Sequence, residues 1–259
     1  MAELDFACVD AVPDAAAAGP AIRMRLRIEE TPAFQAVKDS GRQERLPLVT
    51  ALRRYPRQLA LGFGARLGEA GSSQIYQPFA ISYVTTSLGH GRGVALTGVV
   101  LYNLVGIALI PLAGTISDRI GRKPIYLAGA LFVALSAFPY FWLVDSGSVP
   151  LIWAAMALAV LGGAVCMSGL QATMYAEMFG VGVRYSGMSL AYQFSAMVAG
   201  FVPAIATSFL VASGGASWPV ALLAVVLGLV SAVSTLFLRE TRDVDTTERE
   251  ATRSTQARA

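Results

Sequence analysis

The sequence predicts an all-α membrane protein that crosses the bilayer six times. Of its 259 residues, 55% are hydrophobic and 14% are charged, whereas a soluble domain carries about 25% charged residues. The charges occur in short groups, and the long stretches between the groups contain almost none. Because a charge in hydrocarbon costs about 2.5 kcal/mol or more, this grouping is typical of transmembrane helices joined by polar loops.

Six apolar runs carry this prediction. Each reaches the roughly 20 residues that a helix needs to cross about 30 Å of hydrocarbon, and none shows the two-residue alternation of a barrel strand. The runs lie at 58–88, 94–116, 124–144, 149–174, 186–211 and 218–238. We therefore divide the chain into a disordered leader (1–22), a basic cytoplasmic linker (23–57), a six-helix transmembrane domain (58–238) and a cytoplasmic tail (239–259).

The basic residues predict the orientation of the helices. Eighteen of the twenty Lys and Arg residues fall on one side of the alternating topology, and Arg92 alone falls on the other, while Arg66 lies inside the first run. The positive-inside rule then places both termini in the cytoplasm of a protein in the cell membrane. Since the basic residues flank apolar runs rather than forming one polar face, we expect no nucleic-acid partner.

The loop after the second run has a distinctive composition, Gly-Thr-Ile-Ser-Asp-Arg-Ile-Gly-Arg-Lys-Pro at 114–124. Glycines let two helix ends approach closely, and Asp118 can sit near the amino terminus of a neighbouring helix. Simple anchoring by positive charge would explain the basic residues alone. It would not explain the spacing of Gly114, Asp118 and Gly121, which favours a cytoplasmic gate.

This loop resembles the Gly-x-x-x-Asp-Arg-x-Gly-Arg-Lys loop of the major facilitator superfamily. Four further segments, at 23–34, 66–69, 176–187 and 240–242, resemble its metabolite:proton symporter subfamily, although Gly180 stands where a proline is usual. The resemblance implies that the six spans are the carboxy-terminal half of a twelve-helix fold, with substrate bound between the halves. It also implies a missing amino-terminal half, or a second copy of this chain, as partner.

Candidate pathway residues lie within the spans. Arg66 and Glu69 are three residues apart and share one helix face, and polar side chains on a spanning helix must face protein or a water-filled cavity. Arg66 could bind a substrate carboxylate and Glu69 could carry a proton, or the two could form a structural ion pair. Polar positions on the fourth and fifth runs serve either helix packing or the pathway. The candidates are Arg66, Glu69, Ser73, Tyr76, Gln77, Gln171, Tyr175 and Gln193.

Candidate gate residues lie at the cytoplasmic ends of the spans. Glu177 and Arg184 flank the turn between the fourth and fifth runs, and we expect them to form a charge network with Asp118 and Arg122. The alternative is solvated charge that contributes about 0–1 kcal/mol. The candidates are Gly114, Asp118, Arg119, Gly121, Arg122, Lys123, Glu177 and Arg184.

The predicted function is solute transport by half of a proton-coupled symporter embedded in the lipid bilayer. The resemblance implies small organic acids or zwitterions, such as shikimate, dicarboxylates or proline and betaine. The alternative is a truncated, non-transporting remnant or a regulatory half-module. No P-loop, nucleophile elbow or zinc-ligand spacing occurs in the sequence, so we expect neither an enzyme, nor a cofactor, nor a metal.

Overall fold

The computed structural model describes residues 52–179 and 183–238, and for Glu177 only the backbone. Regular structure within these residues is helical throughout. The predicted leader, most of the predicted basic linker and the predicted tail lie outside the described residues.

The described residues form six successive helices. Three are continuous, namely α2 (Arg92–Ile120), α3 (Arg122–Asp145) and α6 (Trp218–Phe237). The other three are built from consecutive helical segments: α1 from Pro56–Gln74, Ile75–Phe79, Ala80–Ser82 and Tyr83–Ser87, α4 from Val149–Ala159, Leu161–Ser168 and Gly169–Met178, and α5 from Arg184–Gly200 and Val202–Ala212.

Five of these helices are long and apolar enough to cross a membrane, and they correspond to α2 through α6. The remaining helix, α1, corresponds to the first predicted span and is less apolar. Its segment Pro56–Gln74 contains Arg66, Glu69 and four glycines. Helix α1 nevertheless contacts α3 at two levels. Tyr126 near the start of α3 donates to the Ala65 carbonyl, and Tyr83 near the end of α1 donates to Asp145 at the end of α3.

Small residues let α1 pack closely against α6. A Cβ atom added at Gly68 would lie 2.5 Å from the Cβ of Ser231 and 3.1 Å from the carbonyl oxygen of Leu227, so only glycine fits. The Ser231 hydroxyl donates to the Ala65 carbonyl across the same contact. Such close contacts between small residues stabilise membrane helices, where lipid tails remove the hydrophobic driving force between helices. The other α1 glycines that face α6 side chains are Gly64 and Gly71.

Two helices widen into π-helical turns near the middle of the bundle. In α1 the widened segment Ile75–Phe79 contains Pro78, and since proline lacks an N–H group, a local change of hydrogen-bond register accommodates it. In α4 the widened segment is Leu161–Ser168. A Cβ at Gly163 in this segment would lie 2.9 Å from the Ser72 hydroxyl of α1, so α4 approaches α1 closely at this level.

The outer surface of the bundle is apolar. Large side chains such as Ile107, Leu135 and Val211 are 71–77% exposed, as expected of residues that contact lipid tails. Trp142 and Trp218 are also exposed. They lie at the end of the bundle opposite Gly121, the residue between α2 and α3, where aromatic residues mark the membrane interface.

Candidate functional site

Arg66 of α1 is the centre of a polar cluster in the bundle. Its Nε donates to Oε1 of Gln171 in α4 at 3.2 Å, and its Nη1 donates to the Tyr192 carbonyl at 3.0 Å and to the Ser195 hydroxyl at 3.1 Å in α5. The guanidinium carbon lies 4.0 Å from the centre of the Tyr192 ring, a cation–π contact. One cationic side chain therefore connects three helices.

Glu69 lies one helical turn further along α1. Its Oε2 is 3.9 Å from Nε of Arg66, and the two side chains are only 12% and 16% exposed. The same oxygen is buried and accepts no hydrogen bond from the described residues. The pair is therefore an ion pair in which the cation has further partners and the carboxylate has spare hydrogen-bonding capacity.

A chain of hydrogen bonds fixes Gln171 and the backbone of α1 beside this pair. Gln171 donates through Nε2 to the Tyr126 hydroxyl at 3.0 Å, and Tyr126 donates to the Ala65 carbonyl at 3.1 Å. Tyr175 donates to the Gly62 carbonyl, and its ring packs edge-to-face on Tyr192 at 5.4 Å. Since these tyrosines bind the backbone at Gly62 and Ala65, they fix the turn of α1 that immediately precedes Arg66.

The structure brings together only some of the predicted pathway residues. Arg66, Glu69, Gln171 and Tyr175 lie in or next to the cluster just described. Tyr76 is fully buried elsewhere, with its ring 4.6 Å from that of Tyr140 in α3.

Three other predicted residues lie apart from the Arg66 hydrogen bonds. Ser73 and Gln77 are half-buried on α1, and Gln193 is exposed on α5. The α5 residues that contact Arg66 are instead Tyr192 and Ser195, which sequence reasoning missed. They are three apart, a spacing that could have indicated one helix face, but the sequence does not reveal how α5 is rotated.

A second polar group, also missed, joins three helices at the end of the bundle opposite the 121 turn. Asp145 at the end of α3 accepts hydrogen bonds from the Tyr83 hydroxyl at 2.7 Å and from the Ser217 hydroxyl at 2.5 Å. Ser217 is the residue that precedes α6. The Asp145 carboxylate therefore fastens the ends of α1 and α3 to the start of α6.

The predicted gate loop is shorter in the structure, because residues 114–120 belong to the end of α2 and 122–124 to the start of α3, which leaves Gly121 as the tight turn between them. Gly121 has φ of +118°, a conformation that side chains with a Cβ rarely adopt, so this glycine serves backbone geometry. A Cβ at Gly114 would meet nothing within 4 Å among the described residues, so no described helix packs closely on Gly114, and its gate role stays a prediction. Lys123 donates to the Leu236 carbonyl at 2.7 Å and joins α3 to the end of α6.

The remaining gate candidates are located only in part. Asp118 and Arg119 are exposed at the end of α2, and Arg122 begins α3. Arg184 begins α5. Because the Glu177 side chain lies outside the described part of the chain, the predicted charge network stays a prediction.

Apolar helices joined by short turns, with an ion pair held among their interior side chains, define a multi-pass α-helical membrane protein. The sequence profile of the Major Facilitator Superfamily matches residues 43–258. The chain therefore belongs to the major facilitator superfamily, which confirms the predicted family and the all-α membrane fold.

Its relatives are named transporters. The chain is 30% identical over 230 residues to the shikimate transporter of Escherichia coli (strain K12), covering 86% of this chain and 51% of that protein. It is 30% identical over 224 residues to the proline/betaine transporter of the same organism, with 82% and 44% covered. The ectoine/proline transporter of Corynebacterium glutamicum is 25% identical over 231 residues, with 85% and 45% covered.

Two facts bound these comparisons. The chain spans about half the length of the curated relatives it matches, and no solved structure matches it significantly. The relatives agree with the prediction of a membrane transport protein rather than an enzyme.

Proposed function

We propose that this chain forms the carboxy-terminal half of a secondary transporter in the cell membrane, with both termini in the cytoplasm. The observation that carries the proposal is the Arg66 cluster, in which a buried guanidinium has neutral partners on two neighbouring helices. A charge at this depth is costly to maintain and is typical of substrate and ion pathways. The proposed partner is an amino-terminal half or a second copy of this chain.

Arg66 is proposed to bind the carboxylate of the substrate. A guanidinium forms paired hydrogen bonds with a carboxylate, and the hydrogen bonds from Arg66 to Gln171 and to Ser195 involve neutral side chains that a carboxylate could replace. The substrate class is small organic acids or zwitterions that carry a carboxylate, such as shikimate, dicarboxylates, proline or betaine. Two relatives named for shikimate and for proline and betaine support this class.

Glu69 is proposed to carry the coupled proton. It lies within 3.9 Å of Arg66, so arrival of a substrate carboxylate at Arg66 would weaken the ion pair and favour a protonated Glu69. Ser73, Tyr76, Gln77, Tyr175 and Gln193 complete the proposed pathway. The loop residues from Gly114 to Lys123, with Glu177 and Arg184, are proposed to close it on the cytoplasmic side.

Equilibrium binding tests the substrate role of Arg66. The purified chain in lipid nanodiscs would be titrated with labelled shikimate, proline, betaine and a dicarboxylate. Arg66→Gln should weaken binding about 10- to 100-fold, since a hydrogen bond to a charged group contributes roughly 1.5–3 kcal/mol. Asp145→Asn, at the far end of α3, is the matched control and should leave the affinity unchanged. Equal affinity of the wild type and Arg66→Gln for every ligand would contradict the proposal.

The half-length coverage keeps one alternative open, a half-module that regulates a partner without transporting. A fusion of this chain to the amino-terminal half of the Escherichia coli shikimate transporter separates the two. Proton-driven uptake by the fusion supports the transporter. A fusion that inserts and folds but neither binds nor moves any of the four ligands supports the regulatory module.

A further inference from the structure

Buried polar atoms without hydrogen-bond partners concentrate in one part of the bundle. Six such side-chain atoms occur in the described residues, and five of them are Oε2 of Glu69 and the hydroxyl oxygens of Tyr76, Tyr102, Ser136 and Tyr140. We refer to the four hydroxyl residues as the hydroxyl cluster. Since roughly 90% or more of buried polar groups in folded proteins have a partner, this concentration requires a physical explanation.

The hydroxyl cluster lies between α1, α2 and α3. Tyr76, Tyr102 and Tyr140 are 0%, 2% and 4% exposed, and the Tyr76 and Tyr140 rings are 4.6 Å apart. Tyr76 lies close to Ser136 and Tyr102 close to Ser73, in both cases without hydrogen-bond geometry. Tyr102 also interacts electrostatically with Tyr76 and Glu69. The cluster therefore adjoins Glu69 through Tyr102 of α2, whereas the Arg66 partners belong to α4 and α5.

Burial alone does not leave tyrosine hydroxyls without partners in this protein. Tyr126 and Tyr175 are both 0% exposed, yet each donates a hydrogen bond to a backbone carbonyl of α1. The difference is that their hydroxyls reach the glycine-rich stretch of α1, where small residues expose the backbone. The hydroxyl cluster has no such carbonyl in reach and needs another partner.

We propose that the hydroxyl cluster binds internal water molecules, which form the proton route to Glu69. A buried water typically makes two to four hydrogen bonds to polar groups that otherwise lack a partner, and the five atoms are linked to one another through Tyr76 and Tyr102. A proton passes from a bound water to Oε2 of Glu69 and returns by the same hydrogen bonds, so only O–H bonds form and break. The inference rests on the proposed proton role of Glu69.

The proposed proton route reaches the ion pair beside Tyr102 of α2. The groups that surround Glu69 are Arg66 of α1, Tyr102 of α2, Tyr126 of α3, Gln171 of α4 and Tyr192 of α5. Arg66 is the cation among them, and its partners point to α4 and α5. Gln171 and Tyr192 interact with both members of the ion pair, so Tyr102 of α2 is what distinguishes the proposed proton route from the partners of Arg66.

Radiolytic hydroxyl-radical labelling of the purified chain in nanodiscs tests the bound water. Radicals generated from internal water modify adjacent side chains even when these are buried. Tyr76, Tyr102 and Tyr140 should be modified faster than Tyr126 and Tyr175, the matched controls of equal burial with paired hydroxyls. Ser136→Ala, which removes one water ligand, should slow labelling at Tyr76 without changing it at Tyr126. Equal labelling of all five tyrosines would overturn the proposal.

Infrared spectroscopy tests the proton route independently of labelling. The carboxyl stretching band of protonated Glu69 is the band that Glu69→Gln abolishes. After transfer to D₂O this band moves as deuterium replaces the proton, and the rate of the change measures how easily protons reach Glu69. Tyr102→Phe should slow this exchange, whereas Tyr83→Phe, beside Asp145 at the end of α1, should not. Equal rates in both variants would overturn the route. A carboxyl band that is missing at every pH would contradict the proton role of Glu69, while the labelling result would still decide whether the cluster holds water.

Discussion

Along α1, the side that faces α6 and the side that faces α4 and α5 achieve contact in different ways. Toward α6, Gly68 presents backbone and allows an approach that a single Cβ would prevent. Toward α4 and α5, Arg66 reaches out and makes hydrogen bonds to a side-chain amide, a carbonyl and a hydroxyl. The contact at Gly68 fixes the distance between α1 and α6, whereas we propose that a ligand can replace the hydrogen-bond partners of Arg66.

Neutralising Arg66 should have the largest effect on stability. Arg66→Gln leaves Glu69 buried without its cation, and breaking a buried pair by removing one partner costs about 3–5 kcal/mol. The free energy of unfolding, measured by denaturation in mixed micelles, should fall by that amount.

The double variant Arg66→Gln with Glu69→Gln checks the cause of this loss. It removes both charges and should recover a large part of the stability lost in Arg66→Gln. If the double variant is as unstable as the single one, the hydrogen bonds of Arg66 to α4 and α5, rather than the ion pair, stabilise this side of α1.

Breaking the opposite side of α1 should have the next largest effect. Gly68→Val places side-chain atoms against Ser231 and the Leu227 carbonyl, and overpacking of this kind costs typically about 1–3 kcal/mol. Gly114→Val is the matched control, because a Cβ at Gly114 would meet nothing within 4 Å among the described residues. Thermal unfolding monitored by circular dichroism should separate the two variants. Equal melting temperatures would show that the glycine contact contributes little.

The helical architecture could be predicted from the sequence because a charge in hydrocarbon is costly, so charged residues are almost absent from the apolar runs. It predicted Arg66 and Glu69 as a pair for the same reason, since their spacing places them on one face of a span. The apolar runs 94–116 and 218–238 lie within α2 and α6 to within a few residues. The first span was predicted by its length, although its glycines and charges make it the least apolar of the six helices.

The helix contacts could not be predicted from the sequence. Tyr192 and Ser195 contact Arg66 because of the rotation of α5, and an apolar run with polar residues on several faces does not define that rotation. Tyr83, Asp145 and Ser217 lie 62 and 72 residues apart along the chain, so only the tertiary fold brings them together. The glycines of α1 indicate close packing, but not that α6 is the partner.

Removing the charge at the far end of α3 should have the smallest effect. Asp145→Asn keeps the size of the side chain but cannot accept both hydrogen bonds with charged oxygens, and the residue is partly solvated. We expect a loss of about 1 kcal/mol in the same denaturation assay, well below that of Arg66→Gln. A loss as large as that of Arg66→Gln would mean that this end of the bundle, rather than the Arg66 cluster, holds α1 in place.

The central claim is that Arg66 binds the substrate while Glu69 carries the proton, and transport by the fusion to the amino-terminal half tests it most directly. Glu69→Gln keeps the partners of Arg66 on α4 and α5 and removes only the proposed proton carrier. In liposomes, this variant should still exchange labelled substrate across the membrane at equal pH, yet fail to accumulate substrate when a proton gradient is imposed. Gradient-driven accumulation by Glu69→Gln equal to that of the wild type would contradict the claim.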